Sequence, residues 1–400
     1  MRNERAAERI GAPAAPRAVT DAAVWSSPSP EGAMLLLCAR TVMPAGDAER
    51  LRRLAAGEID WQALVGFAAK HRVLPLLDRH LNACCPERLP RATGRSLAAR
   101  VAANAERSKR FSHETARLCD LLQSAGVTVI AFKGATLAAT VYGDAALRQA
   151  WDIDLLVAEK DLPTVAAMLR AEGYLAGQVF DRAQDFEHPG GEIKVDLHWA
   201  LTPWFFPVDI DVEGLLARRH VATIDGVSIP VPCAEDMLCI LCLQLAKDCW
   251  ERRQHLEYLS KAVDIAEFLR ATPDLPWARV IGDARRSGWL RILRFALALA
   301  GDLLAALPPA NVRADVQADA TAVRLAEEVC SRLFTPEDMV GFKLASAPFT
   351  FSHRLRQLRF YVAIRERPID WGRHAFEIGR SGVPRMLSAW LPSKNRSRTL

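Results

Sequence analysis

Apolar residues recur at helical spacing along the first third of the chain. They alternate with polar residues through the middle, then return to helical spacing after about residue 233. From Glu31 to about Ser124 the pattern is helical. In Asp60-WQALVGFAAKHRVLPLLDRHL the apolar positions line one helix face at a time, and Pro75 opens or kinks a second helix. The run from Arg95 to Gly126 suits one long helix that Gly126 closes. Val127-TVIAF is short, β-branched and bounded by glycines, so it reads as a strand. Ala135 to Tyr142 reads as a short helix and Ile153-DLLV as a second strand. Asp161 to Gly173 reads as a helix with Pro163 near its start. Tyr174-LAGQVF and Glu192-IKVDLHW predict two more strands, with Gly190-Gly191 as the turn before the last. Val221-ATI and Val227-SIPV flank Asp225-Gly226, a hairpin signal. Helical spacing then governs the stretches starting at Asp236, Leu256, Trp277, Trp289 and Thr321. No internal repeat interrupts the order of helices, mixed elements, then helices.

These textures divide the 400 residues into five segments: 1–30, 31–125, 126–232, 233–345 and 346–400. The first is rich in Ala, Pro, Ser and Arg and is expected to be disordered. Half the residues are hydrophobic and a quarter charged, an ordinary globular composition. No apolar run approaches the roughly 18 residues of a membrane span. The N-terminal stretch lacks the apolar core of a secretion signal. A cytoplasmic location is the expectation. Nine cysteines at irregular spacing make a poor disulfide framework, and free thiols are expected. Cys239 and Cys242 have the spacing of a metal-binding pair, yet they lie in a leucine-rich helical run and read as core thiols. The net charge of +5 is unevenly placed. Residues 351–400 hold eleven Lys/Arg against three Asp/Glu. A solvated tail is the plain reading of that basic end, and a weak contact with nucleic acid or an anionic membrane surface is the other.

The chemistry concentrates in the middle segment. In a strand, residues two apart point to one face, so Asp152 and Asp154 are expected side by side, with Ile153 and Leu155 packing behind them. Adjacent carboxylates in a buried run repel each other unless a cation neutralises them. Oxygen ligands select Mg²⁺ or Mn²⁺, and two such ions form the usual clamp for in-line phosphoryl displacement. Asp196 lies on another expected strand and meets the pair if those strands are neighbours. Lys133 and Gly134 stand where a strand gives way to a helix, where free backbone N–H groups bind phosphate. Arg148 has the donor geometry to grip phosphate oxygens or to form a structural ion pair. His198 shares the strand face of Asp196, placed to orient a ligand or to serve the fold.

The ordered set of Lys133-Gly134, Arg148, Asp152-IDLLV and Val195-DLHW resembles the polymerase-β-type nucleotidyltransferases. Within them it is most similar to the bacterial proteins described as an uncharacterised nucleotidyltransferase family. The likeness runs from about Asp60 to about Asp264 and takes in His71, Arg72 and Pro75, with His71 and Arg72 expected at an interdomain contact. It implies an α+β fold: a polymerase-β-like mixed sheet with helices, flanked by an N-terminal helical region and a C-terminal helical bundle. It implies that Asp152 and Asp154 hold both of two metal ions. Asp196 would hold one of them and help deprotonate the acceptor hydroxyl, and Gly134, Ala135 and their neighbours would cradle the triphosphate. The reaction implied is transfer from an NTP, with ATP as the expected donor, to an acceptor, releasing pyrophosphate. The acceptor is not legible: a small molecule such as an aminoglycoside or sugar, a peptide or protein side chain, and an RNA end all stay open. One departure matters. The superfamily usually carries Gly-Ser in its phosphate loop, whereas this chain has Gly134-Ala135 with Lys133 in front. That departure keeps a second class open, an inactive member that binds a nucleotide or partner without turnover.

Overall fold

The computed structural model describes residues 29–180, 182–202, 206, 208, 210–224, 226–251, 256–335, 359–360 and 362–366. The expected disorder of the N-terminal segment and the charge of the basic C-terminal segment fall almost wholly outside these residues. Helices α1 (Pro30–Cys38), α2 (Ala45–Ala55), α3 (Trp61–Lys70) and α4 (Leu74–Cys84) come first. Ser29 caps α1 by accepting from the Gly32 amide, and Asp60 caps α3 by accepting from Ala63. Pro75 sits in the first turn of α4, where its missing N–H costs no hydrogen bond. Helix α5 (Arg91–Ser124) runs 34 residues, and Gly126 follows it with φ +79°, a left-handed stop.

The middle of the chain folds into a five-stranded mixed sheet. Its strands are β1 (Val129–Ala131), β2 (Ile153–Val157), β3 (Leu175–Phe180), β4 (Ala183–Glu187) and β5 (Lys194–His198), in the spatial order β1-β2-β5-β4-β3. The β2–β5 pairing is parallel and the other three are antiparallel. Between β1 and β2, α6 (Gly134–Leu137) runs straight into a single π-helical turn, Ala138–Tyr142. Helix α7 (Leu162–Ala171) follows β2. After the sheet come α8 (Val212–Ala217) and the hairpin of β6 (His220–Ile224) and β7 (Val227–Val231). The chain then continues through α9 (Ala234–Glu251), α10 (Leu259–Ala271), α11 (Trp277–Ser287), α12 (Leu290–Leu304), α13 (Ala310–Ala318) and α14 (Ala320–Cys330). Strand β4 and helices α8 and α13 are additions to the elements expected from periodicity. Strand β4 reads AQDFE, too polar and too short on β-branched residues to announce itself, and it forms because β3 and β5 both pair with it.

Two cores organise these elements. Leu35, Leu64 and Leu77 from the N-terminal helices share one apolar cluster with Leu243, Ile265 and Leu293 from the C-terminal helices. The helical regions at the two ends of the chain therefore pack together. The second cluster lies on one face of the sheet, where Ile153, Leu155, Val195 and Leu197 meet Phe111, Leu118 and Leu122 of α5. Leu97, near the start of α5, belongs to the first cluster, so this helix ties the two cores together. On the other sheet face Ile130, Phe132 and Leu156 pack with Ile240 of α9. Cys239 and Cys242 are buried in the helical core, where burial pushes both thiols above their usual range, as expected for packing residues. All nine cysteines are unpaired. Among the described residues no helix is long and apolar enough to cross a membrane.

Candidate metal and phosphate site

Strand alternation sorts β2 and β5 cleanly. Ile153, Leu155, Val195 and Leu197 face the α5 side, so Asp154, Lys194, Asp196 and His198 share the opposite face. The parallel register places Asp154 directly across from Asp196, and the antiparallel β4–β5 register places Asp185 across from Asp196 on its other side. Three aspartates from three adjacent strands therefore form one row. Asp154, Asp196 and His198 each offer a ligand atom, and those atoms lie within 4.8 Å of one another.

Asp154 is the most enclosed member, 5% exposed. Its Oδ1 accepts from Lys133 Nζ at 2.7 Å and lies 3.2 Å from His198 Nε2. Burial alone would raise this carboxyl, but Lys133 and His198 outweigh it and hold Asp154 well below the usual carboxylate range. His198 is pulled the other way. Burial and the Lys133 charge lower its pKa, although Asp154 favours its charged form. The imidazole packs edge-on against Phe132, with ring centres 5.3 Å apart. Lys194 Nζ stands 3.1 Å from Asp196 Oδ1 and 3.9 Å from Asp185 Oδ2. Lys194 thus pairs with Asp196 Oδ1, whereas Asp185 Oδ1 is a buried acceptor without a hydrogen bond. Buried acceptors of this kind are rare in settled cores and are the natural positions for a ligand.

Asp152 stands immediately before the strand, which begins at Ile153 as expected. Pairing with β5 begins at Ile153 opposite Val195, so Asp152 lies in the bend just before β2, and it is outside the compact three-residue cluster. It still feels that cluster. Burial first, then the charges of Asp154 and Asp196, push its carboxyl up to about 6, against the opposing pull of Lys133 and Arg72. Gly134 is held at φ +57°, and a Cβ there would come 3.1 Å from the Asp152 carbonyl oxygen. The loop thus needs glycine both for its left-handed backbone and for its approach to the strand carrying the aspartates. Gly134→Ala is expected to lose roughly 1–2 kcal/mol from the backbone conformation alone, measured by urea unfolding. Ala135, next in the loop, is buried.

Arg148 places Nε and Nη2 on the two oxygens of Asp264 in α10, at 2.8 and 2.9 Å. The Tyr142 hydroxyl donates to the same carboxylate at 2.6 Å. Two of the Arg148 donors are therefore committed to a buried ion pair that joins the sheet to the helical core. Arg72 is another cation near the aspartates. It has φ +58°, stacks its guanidinium 3.6 Å from the centre of the Tyr258 ring, and lowers the Asp152 pKa. Its loop is tied on both sides. The Leu74 amide donates to Gln149 Oε1, and the Leu259 amide donates to His71 Nδ1. The expected interdomain role of His71 and Arg72 corresponds to this junction.

Sequence reasoning passed over Asp185, Lys194 and Arg72 as site neighbours. Lys194 was within reach, since it stands two residues before Asp196 in an alternating strand. Asp185 was not, because the strand carrying it has no periodic signal.

A model of the uncharacterised nucleotidyltransferase family matches residues 57–305, which include every residue of this site. Two of the solved structures that the chain resembles do so at low similarity. One is an antigenic nucleotidyltransferase-like protein from Paracoccidioides brasiliensis, with 15% identity over 50% of this chain and 95% of that one, at a TM-score of 0.30. The other is a CCA-adding enzyme in an apo form, with 12% identity over 73% of this chain and 87% of that one, at a TM-score of 0.26. No curated protein matches the chain.

Proposed function

From the premise that the chain belongs to the uncharacterised nucleotidyltransferase family, we propose that it transfers a nucleotidyl group from an NTP, with ATP as the first candidate, to an acceptor. The observation that carries this reading is the in-register Asp154–Asp196 pair with His198 beside it. The two carboxylates fit a hard divalent cation such as Mg²⁺ or Mn²⁺, and the imidazole, a softer donor, favours Mn²⁺ of the two. Asp154, Asp196 and His198 would hold one ion, and Asp152 would join Asp154 in holding a second. Such ions would stabilise the attacking and leaving oxygens of the displacement.

The protein groups have distinct tasks in that reaction. Asp196 accepts the proton of an acceptor hydroxyl. The freed oxygen bonds to the α-phosphorus as the bond to the β-phosphate bridge breaks, and pyrophosphate leaves. Lys133 neutralises Asp154 in the structure described here. If Asp154 held a cation, Lys133 would be free to reach the triphosphate, a contact that a serine makes in loops carrying Gly-Ser. A second reading draws on the same ion pair. A carboxylate already neutralised by lysine, beside a loop with Ala135 in place of serine, suits a protein that binds a nucleotide and does not turn it over.

The test is pyrophosphate release by the full chain with ATP, Mg²⁺ or Mn²⁺ and a bacterial extract as acceptor source. The expected result is metal-dependent release that the Asp152→Ala/Asp154→Ala variant lacks. Metal-dependent ATP binding without release in every acceptor mixture would favour the binding reading. A double variant indistinguishable from the wild type in metal-dependent ATP binding would remove both.

A further inference from the structure

Lys194 and Asp196 share one face of β5, and Lys194 Nζ lies 3.1 Å from Asp196 Oδ1. An ammonium at that distance competes with a divalent cation for the same oxygen. A second carboxylate stands within reach of this lysine. Asp185 lies across from Asp196 in the β4–β5 register, and its Oδ2 is 3.9 Å from Lys194 Nζ. That separation is within ion-pair range and too long for a hydrogen bond. Asp185 Oδ1 is a buried acceptor without a hydrogen bond, a costly state for a carboxylate. A neighbour on the edge strand β3 gives Asp185 its place. A Cβ at Gly177 would come within 2.7 Å of Asp185 Oδ1, and Gly177 falls where the β3–β4 register shifts, between Ala176 and Val179. The Asp185 carboxylate thus lies over bare backbone.

We propose that Asp185 is a positioning residue that draws the Lys194 ammonium off Asp196 and so frees Asp196 for a divalent cation. This inference rests on the nucleotidyl-transfer reading and deepens its metal site. Lys194 pairs with Asp196 while that carboxylate is free, and with Asp185 once Asp196 is engaged. A movement of about 1 Å brings the Asp185 contact to hydrogen-bond length. Asp185 itself is no ligand in this arrangement, because the converging ligand atoms belong to Asp154, Asp196 and His198. Two observations favour a shared lysine over a fixed Lys194–Asp196 pair. Lys194 is already within ion-pair range of both carboxylates. A fixed pair, moreover, needs neither Asp185 at this place nor the room that glycine leaves for it at position 177.

Mn²⁺ uptake by the full chain, followed as loss of the free-ion electron paramagnetic resonance signal, tests the assignment. Asp185→Asn is expected to weaken Mn²⁺ binding by about 2- to 5-fold, the strength of a part-exposed ion pair. Gly177→Ala keeps the Asp185 charge but displaces the carboxylate, and should weaken binding to a similar extent. Lys194→Met should tighten binding, and in that background both losses should disappear. Equal loss from Asp185→Asn with and without Lys194 would overturn the proposal, because Asp185 would then act as a ligand or as background charge. Unchanged Mn²⁺ affinity in Asp185→Asn would overturn it as well, while leaving the Asp154–Asp196 site standing. A wild type that takes up no Mn²⁺, or no more than Asp154→Asn does, would instead defeat the carboxylate metal site, and the exchange of partners with it.

Discussion

Asp154→Asn is expected to cut metal-dependent pyrophosphate release by at least about 10²–10³-fold, the scale of losses when a group stabilising transition-state charge is removed. Asparagine keeps the volume of the side chain, and Ile153 and Leu155 pack on the far sheet face, so the strand has no steric reason to move. What changes is charge. Lys133 and His198 both converge on Asp154 Oδ1, and the register sets Asp154 opposite Asp196. The amide removes the negative charge on which Lys133 and His198 converge. Asp185→Asn provides the contrast: it lies one strand further out, beyond Asp196, and outside the compact cluster. Its loss in rate is expected to be smaller. Steady-state release at matched metal concentrations, with a melting curve for each variant, checks both. An Asp154→Asn protein that stays folded and active would remove the carboxylate row as the reaction centre.

Breaking the Arg148–Asp264 pair is expected to be the most damaging single change to stability. Asp264 is buried and Arg148 largely so, with a bidentate contact and the Tyr142 hydroxyl on the same carboxylate. Removing one partner from such a pair costs about 3–5 kcal/mol, because the other charge is left buried without compensation. At about 2–4 °C per kcal/mol for a domain of 150–250 residues, that lowers the melting temperature by roughly 10 °C. Arg148→Met and Asp264→Leu should each show this loss, and the double variant should recover much of it, since the desolvation penalty disappears with both charges. The same series separates the two roles open to Arg148. A grip on phosphate predicts lost activity with little loss of stability in Arg148→Met, whereas the ion pair predicts the reverse order of effects.

Much of this site was readable along the chain because its pieces are local. Asp154 and Asp196 each announce themselves as a carboxylate inside an apolar strand, and such a residue is costly without a cation. Gly134 marks a strand-to-helix turn, and the glycine-closed helix before β1 follows from spacing alone. The missing pieces have non-local causes. Asp185 joins the row only through the pairing of β4 with β5. Arg72 approaches Asp152 only because its loop is pinned to Gln149 on one side and to the start of α10 on the other.

By itself the sequence determined the α+β class, the positions of most helices and strands, and the residue types able to hold a metal and a triphosphate. Periodicity and capping act over a few residues, and apolar packing around a polar pair leaves a local imprint. Tertiary structure alone decided that His198 joins Asp154 and Asp196 in one cluster, because the pairing of β2 with β5 sets the two strands side by side. It also decided that Arg148 meets Asp264, a partner more than a hundred residues away, with no pattern along the chain to connect them. Charges find their partners through the packing of whole elements, and that packing is settled by the two cores.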